Sequence, residues 1–306
     1  MSTKQRVSRI GAHVSISGGP QTAPERAVEL GATAIGMFTK NQRQWQSKPL
    51  TDEEIAAFGS NLTRSGIDQR HVVIHASYLL NPGNPDPEKR AKSAAALLDE
   101  CRRAEALGLT LVNFHPGSGL GQIGESEAID LIATVAREVL AETEHAVLVL
   151  ETTAGQGDHV GYRFEHLADI IDRAGSPERI GVCIDSCHIY SAGYDVRSDE
   201  AYAATTDAFA RTVGFDRLVG VHLNDSMVEL GSRKDRHERI GAGEIGLAGL
   251  ARFVTDERMA DVPFVLETNH PEIWAQEIAL LRGIAEGRIE AASAEPPPIG
   301  QEESEG

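Results

Sequence analysis

Apolar residues along this chain fall into short continuous runs that alternate with longer amphipathic stretches. The runs occupy residues 8–13, 34–38, 72–75, 111–115, 146–151, 181–185, 218–222 and 262–267. They are rich in Val, Ile and Leu and lack polar alternation, the pattern of parallel strands buried on both faces. The stretches between them carry helix punctuation. Thr51-Asp-Glu-Glu54 is a capping box before a helix that stops at Gly66. Asp86-Pro87 opens a helix that runs to Gly108. Apolar periodicity predicts helices over 127–143, 164–174 and 199–213, the last two ending at Gly175 and Gly214. Pro271 opens a final helix through Ile273, Ile278 and Leu281.

Successive strand ends lie about 25 to 45 residues apart, the size of one strand–helix unit. Eight such units predict a single-domain α/β fold, a (β/α)8 TIM barrel over residues 8–286. A short extension, 1–7, precedes it, and an acidic tail expected to be disordered, 287–306, follows. A doubly wound sheet is the structural alternative, but it gathers ligands at one switch point rather than after nearly every strand.

What stands at the strand ends gives the pattern its chemistry. His13, His75, His115, Glu151, Asp185, His222 and Glu267 end or follow strands, and His188, Asp235 and His237 lie on loops just beyond. In a barrel all of these meet at the carboxyl face, where active sites sit. One histidine at a strand end is ordinarily hydrogen-bonded structure, and one buried carboxylate is ordinarily a cap or an ion pair. So many at equivalent positions point to metal, because that many carboxylates converge only around cations. Mixed His and Asp/Glu donors suit zinc, with manganese or iron as alternatives. About nine ligands exceed the needs of one tetrahedral ion and favour a cluster of two or three, an arrangement suited to phosphate-ester hydrolysis.

Composition bounds this reading without redirecting it. The 306 residues, 41% hydrophobic and 25% charged, suit one large globular domain or two ordinary ones. No apolar run approaches the ~20 residues of a membrane helix, and the polar N-terminus lacks a signal peptide's apolar core. A cytoplasmic protein with no membrane partner is therefore expected. Cys101, Cys183 and Cys187 form no disulfide framework and read as reduced, buried small hydrophobes. The net charge of −17 argues against a polyanionic partner, but bound cations and an acidic tail both reduce its weight.

Several long motifs, in order, carry a family resemblance. Phe38-Thr-Lys-Asn-Gln-Arg-Gln-Trp45, Asn113-Phe-His-Pro-Gly-Ser118, Thr153-Ala-Gly-Gln-Gly157, Gly181-Val-Cys-Ile-Asp185, His222-Leu-Asn-Asp225, Gly231-Ser-Arg233 and Asp235-Arg-His237 closely resemble endonuclease IV, from about residue 10 to the last helix. The resemblance implies a deoxyribonuclease of the deoxyribonuclease IV type, a phosphoric-ester hydrolase for DNA repair, with three zinc ions in a TIM barrel; manganese is an alternative at one site. It implies one zinc on His75, His115 and Glu151, a second on Glu151, Asp185, His222 and Glu267, and a third on His188, Asp235 and His237. His13 falls outside the set and reads as supporting structure. Glu267 and Glu151 are the implied catalytic residues, Glu267 orienting the nucleophile.

The implied substrate is double-stranded DNA with abasic sites or blocked 3′ ends. Cleavage 5′ to the abasic site leaves a 3′-hydroxyl and a 5′-deoxyribose phosphate. A baseless nucleotide is the least costly to flip out, so a pocket too tight for a base selects it. Arg43 is the expected filler of the vacated stack, with Tyr78 and Leu79 the wedge. Trp45 reads as core packing beneath its loop. Lys40, Arg43, Lys48, Arg233, Lys234, Arg236 and Arg239 supply local positive charge for the backbone. Ala76, Gly119, Thr152 and Asn269-His270 depart from the usual family pattern, none at a ligand. A monomer without an obligate protein partner, meeting its substrate in the nucleoid, is expected. The rival reading is a single-metal sugar isomerase or epimerase of the same barrel superfamily, served by Glu151, Asp185, His222 and Glu267 alone.

Overall fold

The eight apolar runs close on themselves. A computed structural model describes residues 9–175 and 177–299. Its elements run β1 (Ile10–His13), α1 (Ala23–Glu29), β2 (Ala34–Met37), α2 (Asp52–Ser65), β3 (Val72–His75), α3 (Pro87–Ala106), β4 (Leu111–Phe114) and α4 (Glu125–Ala141). Then come β5 (Val147–Glu151), α5 (Phe164–Arg173), β6 (Ile180–Asp185), α6 (Ser186–Ala192), α7 (Asp199–Thr212), β7 (Leu218–His222), β8 (Asp225–Ser226), β9 (His237–Glu238), α8 (Gly246–Thr255), β10 (Phe264–Leu266) and α9 (Trp274–Ala285). The barrel order is β1-β10-β7-β6-β5-β4-β3-β2, all parallel, closed by β1 pairing both β10 and β2. Closure excludes the doubly wound sheet. β8 and β9 form a separate antiparallel hairpin above the barrel.

Helices cover the outside of the barrel through fully buried side chains such as Phe58, Leu97, Ile132, Ile170, Leu250 and Leu281. The predicted caps are present: Thr51 and Glu54 complete the capping box, and Asp86 caps α3. Ser198, which the sequence did not single out, caps α7. The sequence reading missed α1, α6 and α8. The last helix begins as a 3-10 turn at Pro271–Ile273 and becomes α-helical only at Trp274.

Inside the barrel, Val73, Leu111, Val149, Cys183 and Val265 form a closed apolar plug. Side chains two apart on a strand share a face. The next inward position along each of these strands is therefore His75, Asn113, Glu151, Asp185 and Glu267. The plug is the floor on which the polar groups stand. Glycine makes the closure possible where strands approach closely. A Cβ on Gly11 would lie 1.8 Å from the Ala34 carbonyl oxygen, and one on Gly36 would lie 2.5 Å from a Val265 methyl.

Disorder expected from residue 287 onward does not hold for 287–299. Ala291–Ser293 forms a 3-10 turn, Pro297 is buried, and Arg239 Nη1 donates to the Pro297 carbonyl. Proline carries a low ordering cost, which lets this short segment dock. The expected 1–7 extension, the Ser8 strand start and residues 300–306 lie outside the described residues. No helix among the described residues is long and apolar enough to cross a membrane.

Candidate metal centre

Each expected ligand reaches the carboxyl end of the barrel. Glu151 and Asp185 end their strands, and His75 and His222 do likewise. His115 and Glu267 stand one residue past theirs. His188 lies in α6 rather than on a loop as the sequence suggested. The Asp185 carboxylate accepts from the His188 N–H and so starts that helix immediately after β6. Asp235 and His237 arrive on the β8–β9 hairpin.

Donor atoms converge in overlapping groups within 4.8 Å: His75, His115 and Glu151; Glu151, Asp185, His222 and Glu267; Asp185, His188 and His237. His75 Nε2 and His115 Nε2 lie 3.3 and 3.4 Å from Glu151 Oε2. His222 Nδ1 lies 3.1 Å from Glu151 Oε1 and 3.3 Å from Glu267 Oε2. Asp235 joins the last group: its oxygens lie 3.2 Å from His188 Nε2 and 3.3 Å from His237 Nε2. Zinc bonds of about 2.0–2.1 Å make a tetrahedron with an edge of roughly 3.3 Å. The observed separations centre on that edge.

Tautomers sharpen the point. His75 Nδ1 donates to the Ala76 carbonyl (2.7 Å), His188 Nδ1 to that of Thr152 (2.8 Å), and His237 Nδ1 to that of Glu267 (3.2 Å). In the neutral imidazole each bond leaves Nε2 as a bare lone pair facing a carboxylate. Those three Nε2 atoms are buried and have no hydrogen-bond partner among the described residues. Lone pair against carboxylate is repulsive unless a cation or proton lies between them.

The charges agree. Glu151 and Asp185 are wholly buried, and Glu267 and Asp235 are partly so. Among the described residues no Lys or Arg pairs with any of the four; all their ion-pair partners are imidazoles. Burial alone would raise the Glu151 carboxyl, but the His222 and His115 imidazoles outweigh it and hold it well below the usual range. Burial likewise opposes charge on His188, and Asp185, Asp235 and Glu151 outweigh it. The donor set therefore fits divalent cations.

Asparagines complete the shell, and the sequence reading had not assigned them. Asn113 Nδ2 donates to Glu151 Oε2, and Asn224 Nδ2 donates to Asp185 Oδ2 at 2.7 Å. Their signal was a polar residue within or just beyond an apolar strand. Cys183 is hydrogen-bonded to His222, and burial raises its thiol pKa. All three cysteines are free and buried, as expected, but Cys187 Sγ also lies within 4.8 Å of donor atoms of Asp235 and His237. His13 joins none of the donor groups; burial lowers its pKa to about 4, and its ring packs 4.4 Å from Phe38.

A cavity of about 470 Å³ opens over the centre, lined by Tyr78, His115, His188, Met227, Asp235, Arg236, His237, Glu267 and Asn269. The Tyr78 ring lies 4.9 Å from that of His75 and 5.9 Å from that of His115. Tyr78, Leu79 and Arg43 are exposed on the loops after β3 and β2. A larger cavity, about 710 Å³, lies between Trp45 and α3 and contains none of the ligands. Trp45 packs half-buried against the core beneath Lys92.

Four of the seven basic residues have partners within the protein. Lys40 is 4% exposed and pairs with Asp99 and Glu100, Arg239 donates to the Pro297 carbonyl, Arg236 donates to the Asp235 carbonyl, and Arg233 lies 4.5 Å from the Tyr162 ring. The departure at Ala76 acts through its carbonyl, which orients His75. Thr152 Oγ1 accepts from the Asp185 N–H, and its carbonyl accepts from His188. A Cβ on Gly119 would lie 2.7 Å from Ile123, and His270 bonds Glu272 at 3.0 Å, away from the ligands' own contacts.

A family model described as Xylose isomerase-like TIM barrel matches residues 24–284. A curated "Probable endonuclease 4" of Campylobacter concisus is 49% identical over 280 residues, 92% of this chain and 99% of that protein. The crystal structure of endonuclease IV from Thermus thermophilus matches with a TM-score of 0.80 at 39% identity, covering 91% of this chain and 99% of that one. A D-tagatose 3-epimerase-like protein matches with a TM-score of 0.71 at 19% identity, covering 92% and 98%, and shares the fold. The chain belongs to the endonuclease IV family of TIM-barrel nucleases.

Proposed function

We propose that this protein is a DNA-repair endonuclease that hydrolyses the phosphodiester 5′ to abasic sites in duplex DNA. It leaves a 3′-hydroxyl and a 5′-deoxyribose phosphate, and it trims blocking groups from 3′ ends. Three zinc ions suit the donors: one with His75, His115 and Glu151, one with Glu151, Asp185, His222 and Glu267, one with His188, Asp235 and His237. One observation carries the reading: four carboxylates face five imidazoles, three with bare Nε2 atoms, and no Lys or Arg among the described residues pairs with those carboxylates.

Bound zinc supplies Lewis acidity, neutralising phosphoryl oxygens and lowering the pKa of water. The chain's own groups do the rest. Glu151 presents one oxygen to His75 and His115 and the other to His222, so it spans two donor sets. Glu267 stands at the cavity mouth; burial works against its ionisation, but His222 and His75 hold its carboxyl low. It is therefore a carboxylate able to accept a proton from the attacking water and aim its oxygen at phosphorus. Arg43 fills the space of the missing base, and Tyr78 and Leu79 part the neighbouring step. The protein acts as a monomer on nucleoid DNA.

A sugar isomerase would use Glu151, Asp185, His222 and Glu267 and leave the other five donors without a purpose. The deciding assay is incision of an abasic duplex by zinc-loaded protein without added magnesium. Cutting that disappears after prolonged chelation supports the proposal, and protein that binds this DNA and leaves it intact contradicts it.

A further inference from the structure

The cavity over the metal centre has two apolar side chains in its lining, and only one of them has a role so far. Tyr78 belongs to the wedge. Met227 is 47% exposed and unassigned, amid histidines, acids, Arg236 and Asn269. The exposed large hydrophobics among the described residues are Val28, Tyr78, Leu79, Leu120, Met227 and Ile299. Tyr78, Leu79, Leu120 and Met227 all lie on loops after β3, β4 and β7, at the mouth that holds the metal ligands. An apolar rim around a charged centre needs a partner that is anionic in one part and apolar in another.

The backbone beneath Met227 is tied by hydrogen bonds. Its N–H donates to the Arg236 carbonyl at 2.9 Å, one step along the hairpin from His237. Asp225 accepts from the N–H groups of Ser226, Gly243 and Ile245, locking the hairpin base. A Cβ on Gly243 would lie 2.3 Å from the Ser226 carbonyl oxygen, so the packing there is tight. A flexible thioether on a fixed backbone adapts to an irregular apolar surface.

Among the described residues Met227 is also the accessible sulfur. Met37, Met259, Cys101, Cys183 and Cys187 are each 0% exposed. We propose that Met227 contacts substrate, packing with Tyr78 on the C–H face of the deoxyribose whose phosphate the cations take, and that peroxide weakens DNA binding by oxidising it. This rests on the abasic-site reading above. In the oxidation, the peroxide O–O bond breaks and one oxygen bonds to sulfur. Sulfur loses two electrons, the second oxygen leaves as water, and the product is the polar sulfoxide.

The test uses the zinc-loaded full-length enzyme, with Met227→Leu and Met227→Gln, each measured before and after hydrogen peroxide. Readouts are KM and kcat on an abasic duplex, zinc per chain, and the mass of the peptide carrying Met227. The expected wild-type result is one added oxygen at Met227, unchanged zinc, and a KM raised roughly tenfold, the factor for about 1.4 kcal/mol of lost contact. The kcat is expected to change far less. Met227→Gln starts with a raised KM, and neither variant responds to peroxide relative to its own untreated form. An active enzyme whose KM is unmoved once Met227 is oxidised overturns this proposal alone, as does a Met227→Leu variant that responds like wild type or a loss of zinc on treatment. An untreated enzyme that cuts no abasic DNA overturns the functional reading and this proposal with it.

Discussion

Asn224 shows how much of the centre depends on residues that carry no charge. Its amide donates to Asp185 while its Oδ1 accepts from the Glu267 N–H, and its own N–H donates to Ser186. It thus holds the Asp185 carboxylate and the Glu267 backbone, which come from different strands. Asn224→Leu is expected to weaken zinc binding by about 10- to 100-fold, read by chelator competition, since groups that orient ligands have effects of that size. Unchanged affinity would show the carboxylates hold their own positions. Glu267→Gln is expected to abolish incision while folding and abasic-DNA binding persist; full cutting removes Glu267 from the chemistry. The convergence of the candidate donors was legible in the sequence because histidines and acids at strand ends have a period. Asn113, Asn224 and the Thr152 hydroxyl were not, because their importance lies in which neighbour each one meets.

At the scale of elements, helix α3 clamps the loop that carries Arg43. Arg103 donates to the Thr39 hydroxyl and carbonyl and to the Lys48 carbonyl, while Thr39 donates to Glu100 and Lys40 pairs with Asp99. Lys40 reads from sequence as a DNA contact. Its burial was invisible there because its partners lie 59 and 60 positions along the chain, on helix α3. Arg103→Met keeps much of the volume but loses all three donations. It is expected to weaken abasic-DNA binding several-fold, as Arg43→Ala does, without changing zinc content. Loss of zinc from either variant would show that the loop supports the metal centre rather than the DNA. Helix α6 was missed because its seven residues are too short for a period, and its start depends on a candidate metal donor, Asp185, acting also as a cap.

The whole molecule joins barrel closure to metal binding. Gly11→Ala is expected to yield no folded barrel, because its Cβ would meet backbone rather than a movable side chain. A soluble, zinc-binding variant would show that the seam can open. Without metal, protons take the cations' place. Burial opposes charge on His188 and His222, but Asp185, Asp235 and Glu151 raise the first, and Cys183, Glu267 and Glu151 the second, above the ordinary 6.5. Their stabilisation is full below 6.5 and is lost as pH rises through the folded values. Glu151 is held below the ordinary 4.5, so its stabilisation is present above 4.5 and is lost as pH falls through its folded value. Metal-free protein is therefore most stabilised at about pH 4.5–6.5. Zinc needs bare imidazoles and adds most above that window. The Tm gap between loaded and metal-free protein is expected to widen from pH 6 to pH 8, and a constant gap contradicts this linkage.

The fold was legible because eight buried runs of one size admit few closures. The docking of 287–299 was not, because acidic, proline-rich composition hides the few contacts that hold it. What the account depends on most is the number of cations the nine donors hold together. Elemental analysis of purified, fully loaded protein counts them directly. Three zinc ions per chain is the expected result. A single ion, retained when His75, His115, His188, Asp235 and His237 are replaced, would contradict the account.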